Sequence, residues 1–166
     1  MSEFDLPNGV HPDGRKAWLR WALICDDVRI EEGGKSLIIG AYRNSIILHS
    51  NPSMITLRLA GAFEFVTPGE HVLEFRVTTP GGQGLGSIKS LPNADSGTYA
   101  DFNVPVIDYW TSEGSILFDW RVDGGEWGPP MKWDVEFAAD AKILPESQVE
   151  TMAKFWDENI TRGAVT

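Results

Sequence analysis

Ile55-Thr56-Leu57-Arg58-Leu59-Ala60-Gly61-Ala62-Phe63-Glu64-Phe65 alternates large apolar side chains with polar or small ones. Ile55, Leu57, Leu59, Phe63 and Phe65 share one side with Gly61 in step, while Thr56, Arg58 and Glu64 share the other. A period of two marks a pleated strand, because successive side chains point to opposite faces; a helix scatters the same residues around its axis. Thr67-Pro68-Gly69-Glu70 is a turn, after which His71, Leu73, Phe75 and Val77 alternate against Val72, Glu74 and Arg76. The two runs read as an antiparallel hairpin with one solvated face.

The same pattern extends in both directions. Upstream, Leu19, Trp21, Leu23 and Cys25 form the expected inner face of a strand, opposite Arg20, Ala22 and Ile24. Glu32-Gly33-Gly34-Lys35 breaks the run and residues 36–42 resume it, so a hairpin is the economical reading. Residues 45–49 continue as another strand after a kink or bulge at Arg43-Asn44.

Downstream, residues 84–90 read as a short strand and 91–98 as a loop. Phe102, Val104 and Val106 restore the alternation, and Pro105 argues for a sheet edge because it cannot donate to a ladder. Ile116, Phe118, Trp120 and Val122 lead to Asp123-Gly124-Gly125-Glu126, a hairpin turn whose Asp-Gly pair tolerates positive φ. Met131, Trp133, Val135 and Phe137 then point inward on the return strand.

Only the last segment changes period. Val149, Met152, Ala153, Trp156 and Ile160 recur at steps of three and four, which predicts an amphipathic helix. Pro145 suits its first turn, Glu146 and Glu150 its positive end, and Gly163 its stop. Short strands between Gly/Pro turns, with no βαβ alternation, predict a mostly β chain. The expected architecture is an antiparallel β-sandwich, immunoglobulin-like or jelly-roll-like, with one C-terminal α-helix. The expected division is an N-terminal arm over 1–16, a sandwich over 17–142, and over 143–166 a helix packed on the sandwich with a tail.

Composition narrows the function classes. The chain has 24 acidic and 14 basic residues, a formal charge of -10 and no basic run, so no nucleic-acid partner is expected. A single cysteine, Cys25, builds neither an internal disulfide nor a thiolate zinc site, which fits a reducing compartment such as the cytoplasm. The polar start of the chain lacks the apolar core of a signal peptide, and no apolar run approaches the length of a bilayer span, so no membrane association is expected.

The segments Ala22-Leu23-Ile24-Cys25-Asp26-Asp27-Val28-Arg29 and Gly34-Lys35-Ser36-Leu37-Ile38-Ile39-Gly40-Ala41-Tyr42 resemble the opening of a group of small, functionally uncharacterised bacterial and phage-associated proteins. Members of that group begin with a strand ending in Cys-Asp-Asp-Val-Arg, a turn, and a strand similar to Ser-Leu-Ile-Gly-Val-Tyr. The likeness covers roughly the first half of the chain at motif level, on the scale of a hairpin and the next strands. Ile39 lengthens the second motif here. The resemblance implies a β-sandwich and no assigned activity; a place in the cytoplasm, or in a phage particle assembled there, is the expectation from the lone cysteine.

Asp26, Asp27 and Arg29 sit where a strand leaves the core. They serve either as turn chemistry, with carboxylates accepting nearby backbone N–H groups, or as a polar recognition spot at the end of the sandwich. His11, His49 and His71 have no second ligand at zinc spacing. A calcium site between loops would draw on Asp26, Asp27 or Asp95. There is no nucleophile elbow, and Cys25 falls on an expected inner face, so no catalytic residue, metal or cofactor is assigned. Gly81-Gly82-Gln83-Gly84-Leu85-Gly86 precedes no helix and reads as a flexible loop rather than a phosphate cradle.

Tryptophan is abundant. Trp21, Trp120, Trp133 and Trp156 have core phases, whereas Trp18, Trp110 and Trp127 lie at turns or strand ends. Tyr109, Trp110 and Trp127 are candidate contact residues, although the same rings serve equally as caps on the ends of the core. The leading expectation is a non-enzymatic module that contacts a protein partner or itself. The alternatives are a carbohydrate-binding module using exposed Trp and Tyr, and an acidic phage-encoded inhibitor of a host protein.

Overall fold

The computed structural model describes residues 16–89, with Lys89 by its backbone alone, and 97–158. Among the described residues ten strands and one helix follow in order. They are β1 (Ala17–Cys25), β2 (Asp27–Ile30), β3 (Ser36–Ile39), β4 (Ser45–Asn51), β5 (Ser53–Phe65), β6 (Val72–Thr79), β7 (Gly82–Lys89), β8 (Thr98–Trp110), β9 (Gly114–Val122), β10 (Met131–Ile143) and α1 (Glu146–Trp156). The arm, Asp95, Ile160 and Gly163 lie outside the described residues.

Three sheets result: β1-β5-β8, β4-β10-β9-β6-β7 and the small pair β2-β3. The two large sheets face each other across one apolar layer, so the described residues form a mostly β, sandwich-like fold with a single helix. At its centre Phe63 and Phe102 of the three-stranded sheet meet Phe75, Phe118 and Trp120 of the five-stranded one. The ring centroids lie 5.4 Å apart for Phe63–Trp120, 5.7 Å for Phe75–Phe102 and 5.5 Å for Phe102–Phe118, in the range where aromatic pairs attract.

The alternation assigns inner faces well, and its exceptions have physical causes. In β1 the register to β5 slips between Leu19 and Trp21, so Arg20 is an extra residue and the phase flips. Ala22 packs on the core and Ile24 is buried as a result, while Trp21, expected inside, is 42% exposed; Cys25, also expected inside, is buried. Trp133 is buried and Trp120 packs on the core, as their phases require, and Trp156 is half-buried.

Strand partners depart further from expectation. The runs at 55–65 and 71–77 do not form a hairpin: β5 pairs with β1 and β8, while β6 pairs with β7 and β9. The chain crosses from one sheet to the other between them, which leaves both apolar faces turned to the same core. The hairpin expected to reverse at 32–35 does form, between β2 and β3, with Asp26 separating it from β1. The sandwich is antiparallel except for β4, which runs parallel to β10. Glycine-rich 82–86 is strand rather than loop, because β7 closes on β6 through Pro80-Gly81. β8 lies at a sheet edge, where Pro105 is tolerated. The helix keeps its apolar stripe half-covered, with Val149, Met152, Ala153 and Trp156 all intermediate in exposure and no residue fully buried.

Candidate functional site

The Asp26, Asp27 and Arg29 cluster forms the root of the hairpin β2–β3. That hairpin hydrogen-bonds as a separate two-stranded sheet and reverses at residues 31–35, where Glu31 N–H donates to Lys35 C=O (2.8 Å) and Gly34 N–H to Glu31 C=O (3.0 Å). Asp26 breaks the line between β1 and β2 and ties both sides of the break. Its N–H donates to Ile39 C=O (3.0 Å), and its carboxylate accepts the Tyr42 hydroxyl (2.7 Å). Tyr42 in turn bridges back to Ile24, donating its N–H to Ile24 C=O (2.8 Å).

Gly40 lies against the Asp26 carboxylate with φ 65°. A side chain there would strain the backbone and strike that carboxylate, so glycine is what lets Asp26 reach Tyr42. The hydrogen bond to Asp26, then burial and the Asp26 charge, push the Tyr42 phenol up to about 12. Because the folded-state value is raised, this contribution is present below pH ~10 and is lost as pH rises through the folded value. Asp26→Ala is expected to bring the Tyr42 titration, read by phenolate absorbance, back toward the ordinary range.

Asp27 and Arg29 do less. Asp27 accepts Val28 N–H (2.9 Å) and Arg29 Nε (3.0 Å), and that Arg29 hydrogen bond is the largest influence lowering its carboxyl. The pair is exposed, and exposed ion pairs contribute little to stability. Beneath them Cys25 is fully buried, and burial, then the charges of Asp26 and Asp27, push its thiol up, away from thiolate chemistry.

The aromatic candidates do not form a common surface. Trp110, offered as a contact residue, is 0% exposed and belongs to the core, so it cannot stack on a ligand. Its phase continues Phe102, Val106 and Asp108 on the inner side of β8, a signal already present in the alternation. Tyr109 points the other way, opposite Met54, and its hydroxyl is buried. Trp127 follows the β9 turn and folds back on the outer face of the five-stranded sheet. The Arg76 and Arg121 guanidinium carbons lie 4.3 and 4.7 Å from its ring centroid. Those arginines hold Asp119 and Glu74 through paired hydrogen bonds of 2.6 to 3.0 Å. A sugar ring at Trp127 would have to compete with these cation–π contacts.

A hydrogen-bonded chain joins distant segments in a way that sequence spacing does not reveal. Thr67 Oγ1 lies 3.1 Å from His71 Nε2, and His71 Nδ1 lies 3.0 Å from Asp123 Oδ2. Asp123 also accepts Lys16 Nζ (2.7 Å) and Val72 N–H (2.9 Å). His71 is buried and stacks on Phe65. The chain therefore ties the crossover between the sheets to the turn where Asp123 and Gly124 adopt φ of 52° and 68°.

Burial is the largest influence on Asp123 and opposes its ionisation. The hydrogen bonds from Lys16, Val72 and His71, with the Lys16 charge, outweigh it and hold the carboxyl at about 2. A depressed folded-state value contributes stability above pH ~4 that is lost as pH falls toward the folded value. The urea-midpoint gap between wild type and Asp123→Asn is therefore expected to narrow as pH falls through that window.

Among the described residues no three His, Cys, Asp or Glu side chains gather as a metal site, and no helix is long and apolar enough to cross a membrane. No protein-family profile matches the chain, and no curated protein matches it in sequence. Among solved structures it is similar to the Pseudomonas fluorescens alkylpurine DNA glycosylase AlkC bound to DNA containing an abasic site analog. The TM-score is 0.35 and the identity 12%, over 75% of this chain and 31% of that one. At that level the likeness carries no functional argument.

Proposed function

We propose that this chain is a non-enzymatic protein-interaction or assembly module whose contact element is the hairpin β2–β3. One observation carries the reading: the hairpin leaves the sandwich with Ile30 68% and Leu37 42% exposed. A two-stranded hairpin is marginal in water without an apolar surface to rest on, and with Leu37 beside Arg29 on one face and Ile30 beside Ser36 on the other, packing against either face stabilises it. The signature behind the family resemblance supports the same reading, because Asp26, Gly40 and Tyr42 are the residues that clamp the hairpin root. Membership of that uncharacterised group, and a place in the cytoplasm or in a phage particle assembled there, belong to this proposal.

The simplest partner is a second copy of the chain. Ile30→Thr with Leu37→Thr removes the apolar tips while keeping residues that favour strands. Light scattering across a wide concentration range is expected to show wild type gaining mass and the double variant remaining at the mass of one chain, with unchanged circular dichroism. Equal masses for the two at every concentration would count against self-association through the hairpin.

A further inference from the structure

We propose that the open edge of the sandwich between β7 and β8 is a slot for an organic cation, with Asp108 as its counter-charge and Trp156 as its aromatic wall. The slot follows from the register of β7. Gly82, Gly84 and Gly86 stand opposite Thr79, Val77 and Phe75, so the positions that should close the rim of the core carry no side chains. The Phe75 ring fills the space over Gly86, but nothing lies within 4 Å of a Cβ placed on Gly82 or Gly84. A cavity of about 320 Å³ remains, walled by Val77 and Thr79 on one sheet and Val106 and Asp108 on the other, with Trp156 of α1 at its rim. That volume is at the lower end of small-molecule sites, which begin near ~300 Å³.

Its chemistry is set by Asp108, whose side chain is among the most completely buried in the fold at 1% exposure. The carboxylate accepts Gly81 N–H (3.2 Å) and Tyr109 N–H (2.8 Å). A carboxylate offers about four lone-pair sites, so two backbone donors leave capacity for more. Among the described residues no Lys or Arg pairs with it, although a buried carboxylate is costly without a cation. At 1% exposure the carboxylate lies just behind the slot wall, so a positively charged nitrogen in the slot supplies the counter-charge across a poorly screened gap, and an indole at the rim adds cation–π attraction. One carboxylate alone makes a poor metal site, because a hard cation needs several oxygens. The cation has two possible sources, a free amine or the side chain of a lysine on another protein. The slot lies on strands other than the proposed hairpin contact and stands independently of it.

The test is an NMR titration of the full chain with butylammonium, with butanol as the uncharged control and N-acetyl-lysine methylamide as the side-chain mimic. Butylammonium is expected to shift the Gly81 and Gly84 amides and the Trp156 indole N–H, with butanol far weaker. A stronger response to the lysine mimic than to butylammonium assigns the slot to a protein side chain, and the reverse assigns it to a free amine. Asp108→Asn is expected to weaken binding by about tenfold or more. Should that variant misfold, Gly84→Leu decides, because it fills the slot from a position with open space. Equal shifts from butylammonium and butanol, no shift from butylammonium, or unchanged affinity in Gly84→Leu would overturn the proposal.

Discussion

Phe118→Ala is expected to lower the unfolding free energy by about 3–5 kcal/mol, the usual cost of removing a buried aromatic ring. Phe118 is 0% exposed on β9, in the middle of the five-stranded sheet. Its ring centroid lies 5.5 Å from Phe102, 6.1 Å from Phe75 and 6.4 Å from Phe63, so it touches both layers. Truncation removes transfer free energy and leaves a cavity whose rigid neighbours cannot collapse to fill it. A domain of this size is typically stable by about 5–15 kcal/mol, so the variant would be marginal. Urea unfolding reads the loss as a lower midpoint with a similar slope. Ile47→Ala, on the exposed side of β4, is the comparison and is expected to cost much less.

Gly61→Ala is expected to cost about 1–3 kcal/mol, although it adds one methyl group to a strand and alanine ordinarily improves on glycine there. Gly61 stands directly opposite Phe102, and a Cβ would collide with the Phe102 ring and with the Trp21 carbonyl. Neither can yield cheaply. The ring is locked between Phe63, Phe75 and Phe118, and the carbonyl is backbone beside the β1 bulge. Gly84→Ala, where a Cβ meets nothing within 4 Å, is expected to be close to neutral. Phe102→Leu added to Gly61→Ala is expected to cost less than the sum of the single changes, because the smaller side chain relieves the collision. Urea midpoints of the four variants measure both the contrast and the coupling.

These contrasts show what the sequence can and cannot reveal. Alternation identifies the inner residues of β5, β8 and β9 and, except for Met131, which is exposed at the start of its strand, of β10, and Pro105 identifies an edge, because both follow from local backbone geometry. Local geometry does not choose strand partners. The crossover after Phe65 and the parallel β4–β10 pair depend on contacts among distant segments, such as His71 with Asp123. One inserted residue at Arg20 was enough to turn Trp21 outward. At the candidate site the sequence located Asp26, Asp27 and Arg29 at the end of a strand. It did not reveal that Gly40 and Tyr42 complete the clamp, since that requires the hairpin to fold back on its root. Asp108 carries no signal in the sequence for a related reason: a charged residue at an inner position of β8 is informative only where the side-chain-free glycines of β7 lie across the rim from it.

Amide hydrogen exchange, compared between dilute and concentrated chain, tests the hairpin reading most directly. In dilute solution the amides of β2 and β3 are expected to exchange far faster than those of β5 and β9, and to slow selectively as the chain associates. Hairpin amides already as protected as β5 in the monomer, or association that leaves their exchange unchanged, would contradict it.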